Sequence, residues 1–268
     1  MSAHAYVQQN QPADVPPLEL TGERTLPDVP AENYWFRRHL AVYEWIGARV
    51  AGLRVLDMAC GEGYGSEVLW RSADRVVGVD ANPEAHEHAR LRYRRQNLSF
   101  ERGLVETFGE PGSFDAVVFL QTIEHVQDPH GVLEHFRELL APGGVAYVST
   151  PNVLTLAPPG HVKSGNPWHL REYRAEEFGQ LCRSVFEGVE LLGLFHARKL
   201  RIHALALTLG WDRLHRRLGI TRAFYDRFVP AISTSDFSLR ASGYGRSVAL
   251  DGALDFLAVC QTGGKLGG

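Results

Sequence analysis

The chain has 268 residues, 44% of them hydrophobic, enough to bury one good core as a single domain with insertions rather than two full domains. Its 28 Lys and Arg nearly balance 31 Asp and Glu, and no basic block stands out, which excludes nucleic acid as an expected partner because backbone binding leaves a positive footprint. Apolar runs are too short to span a membrane, no signal peptide opens the chain, and Cys60, Cys182 and Cys260 are scattered without a C-x-x-C, so a soluble cytoplasmic protein is expected.

Residues 1–20 are rich in Gln, Pro and Ala and read as a loose tail, as do the glycine-rich residues 263–268. Between them, 21–262 form the expected domain. Strand-like runs at Leu53–Ala59, Arg75–Asp80, Leu98–Arg102, Asp115–Leu120 and Val145–Thr150 alternate with helical patterns at Gly63–Arg71, Pro83–Arg94 and His130–Leu140. Asn82-Pro83 opens one helix, and Ala141-Pro142-Gly143-Gly144 stops another. This rhythm predicts an α/β fold with a parallel sheet covered on both faces. After Thr150 it changes. An irregular stretch over 151–172 precedes a helix near Ala175–Arg183 and a strand near Val189–Phe195. A basic helical region then runs from about Lys199 to Val229 before a last strand at Leu254–Cys260. The basic region reads as an insertion, with about 199–246 forming a lid over the acceptor side. Its His196, His203 and His215 read as part of a solvated face.

The most informative segment is Val55–Ser66, an apolar strand running into Gly61-Glu62-Gly63-Tyr64-Gly65, followed by a second strand ending in Asp80. This is the outline of a nucleotide-type pocket at a sheet edge. Ser66 stands where G-x-G-x-x-G would place its last glycine, and Asp57 ends the first strand, which weakens a dinucleotide reading and suits a ligand with a positive amino group.

The segment resembles motif I of the class I S-adenosylmethionine (SAM) methyltransferases, with Asp80 in the place that holds the ribose hydroxyls. Phe114–Val126, carrying Glu124-His125, resembles the fourth strand and loop of methyltransferases acting on hydroxyls of small molecules and sugars, where the Glu-His pair faces the acceptor. Leu140–Asn152 is similar to their next helix turn and strand. Thr21–Pro27, Glu32–His39, Asn166–Tyr173 and Ser235-Asp236-Phe237 resemble bacterial methyltransferases of methylglucose and methylmannose polysaccharides. The resemblance implies a Rossmann-like fold, its seven-stranded, mostly parallel sheet flanked by helices, with a helical insertion before the last strand. It also implies SAM as cofactor and O-methyl transfer to a sugar or oligosaccharide hydroxyl in polysaccharide biosynthesis. An aromatic, quinone or other small natural product is the alternative acceptor. Leu104 departs from the family, which often has an acidic residue facing the adenine amine there.

On this reading Asp57, Ala59, Gly61, Glu62, Gly63, Asp80, Ala81, Val105 and Gln121 surround the cofactor, with Gly61 and Gly63 admitting the methionine portion and backbone near Val105 reading the adenine. Tyr34 and Arg38 close over the methionine carboxylate, while Trp35, Leu40 and Tyr43 on the same helix pack. His125 is the candidate base, oriented by Glu124, with His169 the second candidate. His39, Trp168, Tyr173 and Asp236 are the expected acceptor contacts. Glu124, His125, His161, His169 and Asp236 are candidate ligands for a divalent cation such as Mg2+, which is left open along with assembly as a homodimer.

Overall fold

A computed structural model describes residues 12–20, 24–158, 160–241 and 249–263. The expected tails fall partly outside these, as do the opening of the Thr21–Pro27 segment and the end of the expected insertion. Helix α1 (Asn33–Gly47) precedes a run of alternating elements: β1 (Arg54–Met58), α2 (Tyr64–Trp70), β2 (Arg75–Asp80), α3 (Pro83–Arg92), β3 (Leu98–Arg102), β4 (Phe114–Leu120), α4 (Pro129–Leu139) and β5 (Leu140–Pro151). A short α5 (Val153–Leu156), α6 (Ala175–Arg183) and β6 (Gly188–His196) follow. Helices α7 (Arg198–Thr208), α8 (Trp211–Arg217) and α9 (Thr221–Phe228) then lead to β7 (Phe237–Ala241) and β8 (Asp255–Gln261).

The strands form one sheet in the order β3-β2-β1-β4-β5-β8-β6-β7. β1 to β5 are mutually parallel, β8 runs antiparallel between β5 and β6, and β7 pairs antiparallel on the outer edge of β6. The sheet is therefore eight-stranded and mixed, not the expected seven-stranded, mostly parallel one. The added strand comes from the segment read as insertion. Phe237, Leu239 and Ala241 alternate toward the core beside α1 while Ser238 and Arg240 alternate away, a period of two over only five residues, too short a run to stand out in the sequence.

Both faces of the sheet are covered because successive strand residues point to opposite sides. Val55, Val76 and Val118 pack with α1 and α2, whereas Leu56, Val77 and Val117 pack with α4 and α6. Asn82 caps α3 through its side chain, accepting from the Glu84 and Ala85 amides. Asp128 does the same for α4 at Gly131.

Two stretches expected to be loose or solvated are packed. Val15 and Leu18 of the presumed tail are buried, Leu18 against Leu26 and Val29, and the Pro16 carbonyl accepts from His88 Nδ1 at 2.7 Å. Helices α7–α9 surround an aromatic centre of His203, Trp211, His215, Phe224, Tyr225 and Phe228, with ring centroids of His203 and Phe228 4.6 Å apart. His215 is buried there, and His196 Nε2 meets the Tyr34 hydroxyl at 2.8 Å, so none of the three histidines lies on a plain solvated face. Aromatic neighbours placed three and four residues apart on α9 supply the apolar surface that the basic composition conceals.

Candidate active site

A cleft of about 300 Å³ opens beyond the carboxyl ends of β1, β2 and β4, where the strand order reverses and sheets of this kind bind ligands. Ala59 and Gly61 line it after β1, Asp80 and Ala81 after β2, Gly103 and Val105 after β3, and Gln121, Thr122 and His125 after β4. Arg24, Thr25, His39, Tyr43 and Tyr64 close it from the other side. Leu104 is exposed and does not line the cleft, whereas its neighbours Gly103 and Val105 do.

The loop after β1 is held by two carboxylates. Asp57 is fully buried and accepts from Ser66 Oγ at 2.6 Å and from the Tyr43 hydroxyl at 3.1 Å. Burial pushes its pKa up to about 7 even though both donors favour the charged form. Asp57 does not line the cleft; it braces the loop from beneath, and Ser66, the residue that breaks the dinucleotide pattern, is its donor. Asp80 accepts from the Gly61 amide at 2.8 Å and the Asn82 amide at 2.9 Å. Each of its oxygens keeps lone-pair capacity on the cleft side, as a vicinal diol requires.

The two loop glycines differ. Gly61 has φ +56, and a Cβ there would meet nothing within 4 Å, so it borders open cleft. Gly63 has φ +95, and its Cβ would stand 2.9 Å from Ala89 Cβ and 3.0 Å from the Phe100 ring. Gly63 thus packs the loop against α3 and β3 rather than admitting a ligand. The Glu62 side chain also turns that way, to His88 Nε2 at 3.1 Å, Arg92 Nε at 3.2 Å and the Tyr93 hydroxyl at 2.7 Å. Only its main chain is left to serve the cleft.

Tyr34 and Arg38 do not line the cleft. Arg38 is buried against Asp255, Nε to Oδ2 at 2.7 Å, and donates to the Leu254 carbonyl. The cation that does reach the cleft is Arg24, within a segment whose pattern was visible but whose arginine was not singled out. Leu40 and Tyr43 pack as expected, whereas Trp35 is 40% exposed with the Arg38 guanidinium 5.0 Å from its ring centre. Tyr43, Tyr64, Thr25 and Thr122 were likewise not foreseen as cleft residues. His39 lines the cleft, and burial pushes its pKa down to about 4, Asp255 opposing this and Arg38 adding to it.

Beyond β4 the chain makes a polar corner. Gln121 adopts φ +52 and both its amide groups donate to Ser149 Oγ. The Glu124 carbonyl accepts from Leu170 at 2.9 Å and Arg171 at 3.2 Å, fastening the 166–173 loop to this turn. His125 Nδ1 donates to the Trp168 carbonyl at 2.9 Å. His169 donates from Nδ1 to Glu172 at 3.0 Å and accepts at Nε2 from Asn166. The His125 and His169 rings meet edge to face, 5.1 Å apart. Glu124 is buried, accepts from the Thr150 hydroxyl at 3.1 Å, and is pushed up to about 8 by loss of solvent.

Glu124, His125 and His169 carry potential metal-ligating atoms within 4.8 Å of one another. His161 and Asp236 are not in this cluster. Asp236 is buried in the turn just before β7, bound to Lys199 at 3.2 Å and to the Ser233 amide. Tyr173 is buried on Phe178, and Trp168 is 54% exposed. Of the four expected acceptor contacts only His39 lines the cleft, and no residue of 199–241 does.

A doubly wound sheet with a glycine turn and an acid-tipped second strand at its switch point has the fold and pocket of SAM-dependent methyltransferases. Residues 31–205 match the family model described as methyltransferase domain, and the chain belongs to that family. It is 42% identical over 249 residues, 90% of this chain and 94% of the relative, to a probable SAM-dependent methyltransferase of Mycolicibacterium smegmatis. A ubiquinone biosynthesis O-methyltransferase of Albidiferax ferrireducens is 33% identical over 60% of this chain and 69% of its own. Among solved structures, a SAM-dependent methyltransferase of Thermotoga maritima, titled a possible histamine N-methyltransferase, superposes with a TM-score of 0.56 at 16% identity, covering 87% of this chain and 95% of that one. The protein is an enzyme of the SAM-dependent methyltransferase class, and its cofactor is SAM.

Proposed function

We propose that the enzyme methylates a hydroxyl of a sugar or oligosaccharide and that His125 removes its proton. The observation that carries this is the hydrogen bond from His125 Nδ1 to the Trp168 carbonyl. A carbonyl only accepts, so the neutral ring keeps its proton on Nδ1 and its lone pair on Nε2, the atom a base needs. The acceptor oxygen attacks the sulfonium methyl carbon, the carbon–sulfur bond breaks with its electrons left on sulfur, and the hydroxyl proton passes to Nε2. Holding oxygen, carbon and sulfur in line is most of the work. Asp80 takes the ribose hydroxyls, Arg24 the methionine carboxylate, and backbone at Gly103 and Val105 the adenine edge. Gln121, Thr122 and His39 give the acceptor end a polar lining, which supports a sugar over a quinone. The quinone-type acceptor remains the second reading, suggested by the ubiquinone methyltransferase among the relatives.

The Glu124–His125–His169 cluster supports a divalent cation here. Two imidazoles and one carboxylate suit Mn2+, Fe2+ or Zn2+ better than the oxygen-seeking Mg2+ that the sequence left open. A cation so held would supply Lewis acidity to the acceptor oxygen. The test offers labelled SAM with mannosides, glucosides, sugar nucleotides and quinols to the wild type, to metal-stripped enzyme and to His125→Ala. Loss of a base costs about 10²–10⁴-fold in rate, so His125→Ala should lose most turnover while calorimetry shows near-normal SAM affinity. Near-wild-type turnover refutes the base, turnover of quinols alone moves the acceptor class, and activity lost on stripping and restored by Mn2+ makes His125 a ligand.

A further inference from the structure

Among the described residues, thirteen large hydrophobic side chains are exposed, and seven of them fall between Ile202 and Ile220. At 100° per residue, Ile202, Leu205 and Leu209 share one side of α7 and its C-terminal turn, opposite the side that carries the buried Leu200 and the His203 ring. They are 71%, 61% and 80% exposed. Leu214 and Leu218, one turn apart along α8, are 48% and 59% exposed. The module does not need these side chains for itself, because its own centre is the aromatic cluster of α8 and α9 with His203. Nor do they serve the cleft, which draws no residue from this segment. Isolated exposed leucines need no explanation, but a helical stripe of them does.

Charge says what covers the stripe. Residues 198–229 hold eight Arg or Lys against two Asp, a net of +6 in a chain whose net is −3. Arg198, Arg201, Arg217 and Arg227 form no ion pair among the described residues. A twofold dimer through this face would set +6 against +6, which argues against a second copy. Apolar side chains interleaved with arginines on surface helices are the pattern that settles into the headgroup region of an anionic bilayer, leucines inward and guanidiniums at the phosphates.

We propose that α7 and α8 dock the enzyme peripherally on an anionic lipid surface. No described helix is long and apolar enough to cross a membrane, so the contact is a surface one. Docking would also reach the cleft wall. Asn33, which opens α1, donates to the Val229 and Ile232 carbonyls just after α9, and His39 of the same helix lines the cleft.

The experiment is flotation of the full-length protein with vesicles of phosphatidylcholine alone or with 30% (about one lipid in three) phosphatidylglycerol. The anionic vesicles should carry the protein upward and the neutral ones should not, with binding falling as salt rises. Arg213→Gln and Arg217→Gln should each weaken partitioning roughly fivefold, the value of one basic residue near such a surface. Leu205→Asp with Leu209→Asp should abolish flotation while SAM affinity by calorimetry and the melting temperature stay at wild-type values, since both positions are exposed. Absence of flotation at low salt overturns the proposal, as does a leucine variant that floats like wild type. A light-scattering mass of a dimer that falls to a monomer in the leucine variant would assign the face to a second copy instead. Capture of an acidic protein by the face without any binding to vesicles would likewise replace the bilayer with that partner.

Discussion

Replacing each loop glycine by alanine separates cofactor contact from packing. At Gly63, φ +95 costs an L-residue about 1–3 kcal/mol. The new Cβ must also push against Ala89 Cβ at 2.9 Å and Phe100 at 3.0 Å, neither of which is the end of a flexible chain. Overpacking of that kind costs about 1–3 kcal/mol. Together these give a loss of about 2–6 kcal/mol, which for a domain of this size lowers the melting temperature by roughly 4–24 °C. At Gly61, φ +56 lies in the ordinary left-handed well and the Cβ meets no atom. Gly61→Ala should therefore cost only about 1 kcal/mol in stability. Its methyl projects into cofactor space, however, and SAM affinity should fall by about 1–3 kcal/mol, roughly five- to 150-fold. Differential scanning calorimetry and isothermal titration with SAM measure the two effects separately. If Gly63→Ala melts like wild type and binds SAM poorly, the loop is oriented the other way and the division of roles is wrong.

Two further outcomes follow from buried charge. Arg38→Met should destabilise the protein by about 3–5 kcal/mol, because Asp255 is left buried and unpaired; a normal melt with weakened SAM binding would show that Arg38 reaches the cofactor. Asp57, with a native pKa of about 7 against a usual 3.8, holds its proton longer when folded, so the stability this adds is complete below about pH 4 and is lost as pH rises through about 7. Urea melts from pH 5 to 8 should show stability declining with a slope of up to about 1.4 kcal/mol per pH unit for this group, and Asp57→Asn should flatten it; an unchanged slope in the mutant would place the titration elsewhere.

The parallel half of the sheet was legible because its strands are short runs, most of them stopped by Gly, Pro or Asn. Arg75–Asp80 and Leu98–Arg102 fall where the periodicity puts them. The antiparallel half was harder to read. Whether β8 lies between β5 and β6, and whether Phe237–Ala241 adds an edge, depends on long-range pairing that leaves no local period. Of the cleft residues found in advance, Ala59, Gly61, Glu62, Asp80, Ala81, Val105, Gln121 and His125 follow strand ends, where topology alone fixes their place, and His39 alone comes from helix α1. Those misplaced, Tyr34, Arg38, Tyr173 and Asp236, lie on segments whose orientation is set by tertiary partners such as Asp255, Phe178 and Lys199. Arg24 was overlooked for the same reason: nothing near it in sequence says which way its loop folds.

The methyltransferase family match begins at residue 31, but the physical domain begins earlier. The carbonyl of Pro16 and the carboxylate of Glu62 are joined through one imidazole, that of His88, and Glu62 is part of the glycine turn itself. Leu18, two residues after Pro16, is itself buried with Leu26 and Val29. A fragment trimmed to the recognised boundary would strip a hydrogen-bond acceptor from a fully buried histidine that is bonded directly to the cofactor turn. Its harm would show as a loosened turn and weakened ligand affinity well before any loss of helix or sheet.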